Sequence, residues 1–276
     1  MEPIFTANPL ASRSVRLQAD HAQQLADAHH AIVSCEQCPR LRAYCTRVAA
    51  EKKRAYRDDV YWGRPVPGFG DPAARLLLLG LAPAAHGANR TGRVFTGDGT
   101  GGSGDFLMTA LHRTGFANIK TSERADDGLR LTDAYIAAAV RCAPPDNKPL
   151  PDEITRCLDH LDAEVSALPN VRVVVALGKI AFDAWLQLLK RRGVIAGSDS
   201  ARTGLRRNPA HRRNLPHRRP QFGHGVVVTF DRQLRTENWK LPTLIGCYHP
   251  SRQNTNTGKL TAAMMVSVFR KARTLL

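Results

Sequence analysis

The sequence lacks a hydrophobic run long enough to cross a lipid bilayer. Its longest apolar stretch lies around residues 76–81, far short of the roughly 20 residues that a membrane helix needs. The N-terminus also lacks a cationic start followed by an apolar run, so we expect no secretory signal. These two absences favour a cytoplasmic protein that has no membrane partner.

Acidic residues are scarce relative to basic ones. The chain has 40 Lys and Arg against 24 Asp and Glu, which gives a formal net charge of +16. Such an excess creates a positive field that attracts polyanions, and the usual polyanionic partner is nucleic acid. With 276 residues and 43% hydrophobic residues, the chain is long and apolar enough for a well-buried core. No internal repeat is visible, and we expect a monomer.

Strand and helix patterns alternate along the chain. Strands are predicted at 75–80, 131–141, 171–178 and 241–248, with a short extra strand at 226–230. Helices are predicted at 15–34, 103–115, 151–165, 180–190 and 260–275. This alternation predicts an α/β fold, a three-layer α/β/α sandwich with a central four-stranded, mostly parallel sheet. We predict a disordered leader at 1–14, one domain over 15–276 and an irregular segment at 44–70.

One segment, 191–224, breaks the alternation. It contains few apolar residues and many arginines among Gly, Pro, Asn and His. Its composition predicts a mobile basic loop insert. Beside the net positive charge, we interpret this insert as a surface that holds phosphates.

Polar loops follow three of the predicted strands, at 81–98, 143–149 and 249–258. Because the carboxyl ends of parallel strands meet at one edge of a sheet, these loops should lie together. Each brings one group that suits catalysis or base recognition, namely Asp98, Asn147 and His249. Any one of them could simply cap a turn, but the three together predict a ligand site.

Other residues of these loops suit contact with a nucleotide. Phe95 is either a core residue or a platform on which a base stacks. Ser251, Arg252 and Asn254 follow His249 and suit phosphate or base contacts.

Four of the six cysteines are spaced as metal ligands. Cys35 and Cys38 form a C-x2-C pair, and Cys142 and Cys157 follow the second strand. Four thiolates select zinc or an iron–sulfur cluster, and scattered structural cysteines are the alternative. The second pair is not C-x2-C, which disfavours a zinc ribbon. Cys45 and Cys247 have no obvious partner in the sequence and are interpreted as small buried residues.

Four motifs together resemble a known family. They are GLAPAAHGANRTGRVFTGD at 80–98, CEQCPRL at 35–41, RCAPPDNKP at 141–149 and YHPSRQNTNTG at 248–258. They closely resemble the uracil-DNA glycosylase superfamily and, within it, the type-5 group of iron–sulfur enzymes. The likeness runs from about residue 35 to the C-terminus, apart from the basic insert. A glycine-rich loop after Asp98, GTGGSGD, also departs from the group's pattern.

This resemblance implies a cofactor, a reaction and a set of roles. It implies a structural [4Fe-4S] cluster on Cys35, Cys38, Cys142 and Cys157. It implies a monofunctional glycosylase that excises uracil, and also hypoxanthine, xanthine or ethenocytosine, from DNA in base excision repair, near the nucleoid if the source is bacterial. Asp98 then matches the carboxylate that serves the attacking water, Asn147 the amide that reads the base, and His249 the histidine that faces the base carbonyl.

The remaining assignments concern the base pocket and the DNA. We assign the base pocket to Gly80, Leu81, Ala82, Phe95 and Asn147. We assign DNA contacts to Arg90, Arg93, Ser251, Arg252 and Asn254.

Three rival hypotheses stay open on the sequence. The first is a non-catalytic iron–sulfur protein that only binds nucleic acid. The second replaces the cluster with structural zinc, and the third is a related enzyme that traps its product covalently.

Overall fold

The computed structural model describes residues 9–195, 220–230 and 241–276, and at 9–18 it describes the backbone alone. The helices are α1 (Pro9–Val33), α2 (Pro39–Glu51), α3 (Ala88–Thr91), α4 (Ser103–Arg113), α5 (Pro151–Ser166), α6 (Lys179–Arg191), α7 (Arg252–Asn256) and α8 (Ala262–Thr274). The strands are β1 (Phe69–Gly70), β2 (Leu76–Gly80), β3 (Ala134–Ala138), β4 (Val173–Leu177), β5 (Val227–Val228) and β6 (Thr243–Cys247). Short 3-10 turns lie at Arg54–Tyr56 and Pro145–Asn147.

A single mixed sheet runs through the described residues in the order β1-β3-β2-β4-β6-β5. Its four central strands pair in parallel, and β1 and β5 pair antiparallel at the two edges. The predicted number of four strands was therefore too low. The edge strand β5 lies inside the short extra strand predicted at 226–230. The other edge strand, β1, was missed because two residues are too few to produce a visible hydrophobic period.

Helices cover both faces of this sheet. Leu76 and Leu78 of β2 pack into a core with residues of α4 and α8. Leu77 and Leu79 point the other way, into a core with residues of α1, α5 and α6. The four leucines are fully buried because successive strand residues face opposite sides, and both sides are covered.

Two helical segments differ from the sequence prediction. α1 begins at Pro9, inside the predicted leader, and residues 1–8 lie outside the described residues. α2 extends to Glu51, so the predicted irregular segment, 44–70, is helical in its first part. Leu41, Cys45 and Val48 form the buried face of α2 at helical spacing, and Pro39 suits a first helical turn because its missing N–H needs no partner there.

The basic insert is described only at its ends. Residues 196–219 lie outside the described residues. Arg191 ends α6, and Val194 is buried. On the other side of the gap, Phe222 packs edge-on against Phe182. None of the helices in the described part of the chain combines the length and hydropathy that a membrane crossing requires.

The carboxyl ends of the central strands lie at one edge of the sheet. Here the segments that leave β2 and β3 run side by side, since Ala139 and Val140 donate their N–H groups to the carbonyls of Gly80 and Leu81 at 3.0 and 2.9 Å. The exits of β4 and β6 are joined in the same way, by a 2.8 Å bond from Gly178 N–H to the Cys247 carbonyl. This edge holds the candidate site.

Candidate active site

An aromatic stack joins the loops that follow β2 and β6. The rings of Phe95 and His249 lie 5.7 Å apart at an interplanar angle of 29°. The stack depends on Gly80, because a Cβ there would lie 2.8 Å from Cε2 of Phe95 and 3.1 Å from Cζ. The glycine that ends β2 therefore lets the ring lie over the end of the strand.

Phe95 has an unusual backbone conformation. Its φ is +53°, and among the described residues only four other non-glycine residues share a positive φ: Lys52, Asp133, Asp146 and Asn147. A positive φ is rare for a bulky residue, and it persists where the surrounding structure imposes it, often at ligand sites. Two of the five residues, Phe95 and Asn147, are ones for which the sequence predicted a role in base binding.

Asp98 is held in a tight recess at the end of the same loop. A Cβ on Gly87 would overlap its Oδ1, and a Cβ on Gly102 would lie 2.6 Å from its Cβ. Burial raises the pKa of Asp98, while a hydrogen bond from the Gly104 N–H and the positive charge of Arg252 oppose the rise. The glycines thus create a recess that fits this one carboxylate.

His249 is uncharged at neutral pH. Burial lowers the pKa of its imidazole to about 4. Asn254 fixes the turn that carries it by donating from Nδ2 to the His249 carbonyl at 2.9 Å. Ser251 in turn caps α7 by accepting a hydrogen bond from the Asn254 N–H. Ser251 and Asn254, for which we predicted DNA contacts, therefore also shape the histidine loop.

Arg252 provides a second connection between these loops. One nitrogen of its exposed guanidinium lies 3.4 Å from the carbonyl oxygen of Asp98. Together with the aromatic stack, this hydrogen bond brings Asp98, Phe95 and His249 to one place, as the sequence predicted for the loops after parallel strands.

Asn147 belongs to the same edge of the sheet. It ends the 3-10 turn after β3 with φ +57°, and its side chain is exposed. Among the described residues its amide group has no hydrogen-bonding partner, so both ends of the amide are available to a ligand. Its predicted role in reading a base stays a prediction.

Arg90 and Arg93 are engaged inside the protein. Arg90 binds Asp59 at 2.5 Å and the Gly97 carbonyl at 2.8 Å. Arg93 is 7% exposed and binds Thr96, Ser122, Asp127 and the Ala125 carbonyl. Most of the donors on these two guanidinium groups are thus bound inside the protein. The predicted DNA contacts of Arg90 and Arg93 stay a prediction.

Leu81 and Ala82 lie between the site and the cysteines. The carbonyl of Leu81 accepts the Val140 N–H, and Ala82 packs against the buried cluster that contains Cys38, Cys142 and Cys157. These two residues thus contribute backbone groups and the shape of the pocket to the site, and neither has a reactive side chain.

The cysteine cluster joins three parts of the chain. Cys38, Cys142 and Cys157 are buried together with Cys45 and apolar neighbours, and Cys35 is half-buried. Burial raises the pKa of Cys157 to about 11, with smaller contributions from Cys38 and Cys35 that place all three thiols in one electrostatic environment. Cys45, which lacked a partner in the sequence, lies against Cys142 and 3.5 Å from the Ala143 carbonyl.

The four predicted ligands are all thiols, the donor type that zinc and iron–sulfur clusters share. Within the described ranges, no three Cys, His, Asp or Glu side chains are arranged to hold one metal ion. In an iron–sulfur cubane, each thiolate binds a different iron, so the four sulfurs lie farther apart than the ligands of one zinc ion. The all-thiol donor set and its apolar surroundings suit such a cluster.

Two buried polar interactions near this cluster were missed from the sequence. Asn89 is fully buried, and its Nδ2 lies 3.3 Å from the Cys45 carbonyl. Arg141 forms an ion pair with Glu164 at 2.6 Å, with both side chains 1% exposed. Neither interaction has a signal in the sequence, because partners 44 and 23 positions apart meet only through the fold.

Comparisons with known proteins relate this chain to one superfamily. The family model for the uracil DNA glycosylase superfamily matches residues 67–273. A type-5 uracil-DNA glycosylase of Mycobacterium leprae is 46% identical over 242 residues, which cover 87% of this chain and 91% of that protein. A type-5 uracil-DNA glycosylase of Thermus thermophilus is 45% identical over 247 residues, which cover 88% and 94%.

A more distant similarity reaches a second group. A type-4 uracil-DNA glycosylase of Pyrobaculum aerophilum is 30% identical over 165 residues, which cover 59% of this chain and 65% of that protein. The similarity is thus higher and more extensive to the type-5 proteins.

Proposed function

The chain belongs to the type-5 group of the uracil-DNA glycosylase superfamily, and from this premise we propose that it excises uracil from DNA by hydrolysing the N-glycosidic bond. The observation that carries the proposal is the stack of Phe95 on a neutral His249 beside the recessed Asp98. An extruded nucleotide requires an aromatic face that binds its base. It also requires an uncharged hydrogen-bonding ring and a carboxylate for the breakage of its glycosidic bond.

The aromatic face accounts for base binding. A base must leave the helical stack before it can be attacked, which costs a few kcal/mol and least at a mismatch. Stacking on Phe95 offsets part of that cost, since base–aromatic stacking contributes about 1–3 kcal/mol. The free amide of Asn147 at the same edge reads the Watson–Crick edge of the base.

The carboxylate and the imidazole serve the two sides of the bond that breaks. As the C1′–N bond lengthens, positive charge grows on the sugar and negative charge on the base. Ionised Asp98 stabilises the sugar cation and orients the water, whose hydroxyl adds to C1′ while its proton balances the departing base anion. Neutral His249 donates a hydrogen bond to the base carbonyl, as a donor in an oxyanion hole does.

We also propose that Cys35, Cys38, Cys142 and Cys157 hold a [4Fe-4S] cluster. Such a group cross-links the chain and takes no part in the chemistry at the base. Support comes from the buried all-thiol environment and from Arg156, whose Nη1 lies 3.8 Å from the Cys38 sulfur. A brown purified protein that contains iron and acid-labile sulfide would support this cofactor. A colourless protein that contains zinc would indicate structural zinc in place of the cluster.

Three finer properties belong to the same proposal. The enzyme is monofunctional, because the site motifs contain no well-placed amine nucleophile for a lyase step. It acts as a monomer. Its substrates include hypoxanthine, xanthine or ethenocytosine besides uracil, which a panel of oligonucleotides with these lesions tests.

The decisive experiment measures free uracil released from a labelled oligonucleotide under single-turnover conditions. We expect Asp98→Asn and His249→Ala each to lower the rate on the order of 100-fold or more, with DNA binding largely retained. The matched controls are Asp126→Asn and His30→Ala, which change exposed residues of the same types.

Each rival has its own outcome in this experiment. Wild-type protein that binds the oligonucleotide without releasing uracil would be a non-catalytic binder. An SDS-stable protein–DNA adduct would indicate product trapping. Near-normal rates in either site variant would refute the roles given to Asp98 and His249.

A further inference from the structure

A basic and aromatic segment borders the candidate site. This border segment, residues 52–64, contains five basic and two acidic residues, together with Tyr56, Tyr61 and Trp62. Lys53, Arg54, Arg57 and Arg64 are exposed. Val60 is 93% exposed, the highest value among the large hydrophobic residues that the structure describes.

The border segment is attached firmly to the loop that carries Asp98. The N–H groups of Trp62 and Gly63 donate to the carbonyls of Arg90 and Asn89 at 2.9 and 3.0 Å. The Arg90 guanidinium, which also binds Asp59, lies 3.9 Å from the centre of the Tyr56 ring. The position of the border segment relative to the loop that carries Asp98 is therefore fixed by backbone and side-chain contacts.

The segment also reaches the entrance of the site. A Cβ on Gly99, the residue after Asp98, would lie 3.7 Å from the Tyr56 hydroxyl and 3.8 Å from a guanidinium nitrogen of Arg252. Tyr56 and Arg252 thus flank the same point of the chain, one from the border segment and one from the histidine loop.

The acidic residues of the segment leave its positive charge largely uncompensated. Asp59 is used by Arg90. Asp58 is 92% exposed and lies 3.6 Å from Arg57, and an ion pair so exposed is weak. Exposed basic side chains with no structural ion pair are the groups that proteins use to bind DNA phosphates.

From these contacts we propose that the border segment holds the DNA backbone beside the extruded nucleotide, with Arg54 and Arg57 on phosphates and Val60 packed against the neighbouring base stack. This inference rests on the proposed glycosylase function. It assigns the segment the binding of phosphates beside the pocket. Arg90 and Arg93 of the polar loop are less suited to this role, because their guanidinium groups bind partners inside the protein. A rigid positive wall next to the pocket would keep the DNA in register while the base is out.

The charge part is tested with a double variant, Arg54→Gln/Arg57→Gln. Its matched control is Arg270→Gln/Lys271→Gln, two exposed charges on α8. That end of α8 lies at the other edge of the sheet, where Arg75 before β2 donates to the Leu276 carbonyl. The dissociation constant for a uracil-containing duplex is measured over a range of salt concentrations.

We expect the slope of log Kd against log salt to fall in magnitude by roughly 0.9 for each phosphate that the variant no longer neutralises. The control should keep both the wild-type slope and the wild-type rate of uracil release at saturating DNA. An unchanged slope in Arg54→Gln/Arg57→Gln, or an equally reduced slope in the control, would overturn the proposal.

Val60 is tested separately because an apolar contact releases no counterions. Val60→Ser should weaken binding by about fivefold, since the methyl groups would no longer be partly buried against the base stack, while the salt slope stays that of the wild type. Leu275→Ser, at an exposed residue on the other edge, is the control. Wild-type affinity in Val60→Ser would remove Val60 from the interface.

The failure of this inference is distinguishable from the failure of the proposed function. If the wild-type protein releases no uracil, the proposed function fails. If it releases uracil and the border-segment variants bind as the wild type does, only the present inference fails.

Discussion

The protonation state of His249 gives the sharpest test of the proposed site. Burial lowers the pKa of its imidazole to about 4, from an ordinary value near 6.5. The neutral ring is the form that can donate to a base carbonyl while Asp98 remains the only charged catalytic group. The perturbation is a change of pH from 7.5 to 5.5.

The shift has a large expected effect. At pH 5.5 a histidine with a pKa of about 4 is roughly 3% protonated, whereas one with the ordinary pKa is about 90% protonated. The lowered pKa means that the folded protein binds the proton less readily than the unfolded chain. Stability linked to His249 is therefore fully present above pH 6.5 and is lost as the pH falls toward 4, by about 3 kcal/mol in total.

The assay is an NMR titration of the histidine ring signals, in which His249→Gln identifies the resonance of His249. We expect the His249 ring to titrate with a midpoint near pH 4. The single-turnover rate of excision should therefore show no acid loss with a midpoint near pH 6.5, and it should be retained at pH 5.5. Any acid loss above pH 4 should belong to Asp98, whose pKa is raised by burial. A midpoint near 6.5 for His249 would refute the shift caused by burial, and full excision at pH 5.5 despite that midpoint would refute the neutral-donor mechanism.

Three further changes test the surroundings of the site. Gly80→Ala should displace the Phe95 ring, because the new Cβ would lie 2.8 Å from Cε2; kcat/KM for uracil DNA should fall by about 5- to 150-fold, the equivalent of one base–aromatic stack, and a wild-type value would show that the stack is dispensable. Glu164→Gln should leave Arg141 buried without its charged partner and lower the free energy of unfolding by about 3 kcal/mol or more, measured by denaturant titration, whereas Asp126→Asn at an exposed ion pair should have little effect. Deleting residues 200–220 of the basic insert should flatten the salt dependence of DNA binding, and an unchanged slope would show that the insert holds no phosphates.

The central sheet was predictable because its strands are buried on both faces. Runs such as LLLL at 76–79 and VVVA at 173–176 are long enough to identify a parallel strand without any periodic signal. Their order along the chain also predicts that the loops after β2, β3 and β6 share one edge. The meeting of Asp98 and His249 follows from that shared edge.

The α2 helix and the two loop arginines were not predictable in the same way. The basic residues around Leu41, Cys45 and Val48 obscure a regular apolar face, so the segment resembles a solvated loop. An arginine in a polar loop has the same local sequence whether it binds phosphate or a carbonyl. Only the fold brings Asp59 to Arg90 and Asp127 to Arg93.

Hydrogen bonds connect the cysteine cluster to the loop that carries Asp98. α2 carries Cys45, whose carbonyl accepts a hydrogen bond from Asn89 of α3, inside the loop that leads to Asp98. A second connection runs from Val140, two residues before Cys142, to the Leu81 carbonyl. A group that fixes the sulfurs would therefore also fix the start and the middle of the loop that shapes the Asp98 recess. Since catalytic groups must be held to within a fraction of an ångström, removal of that group should reduce excision even though it never touches the base.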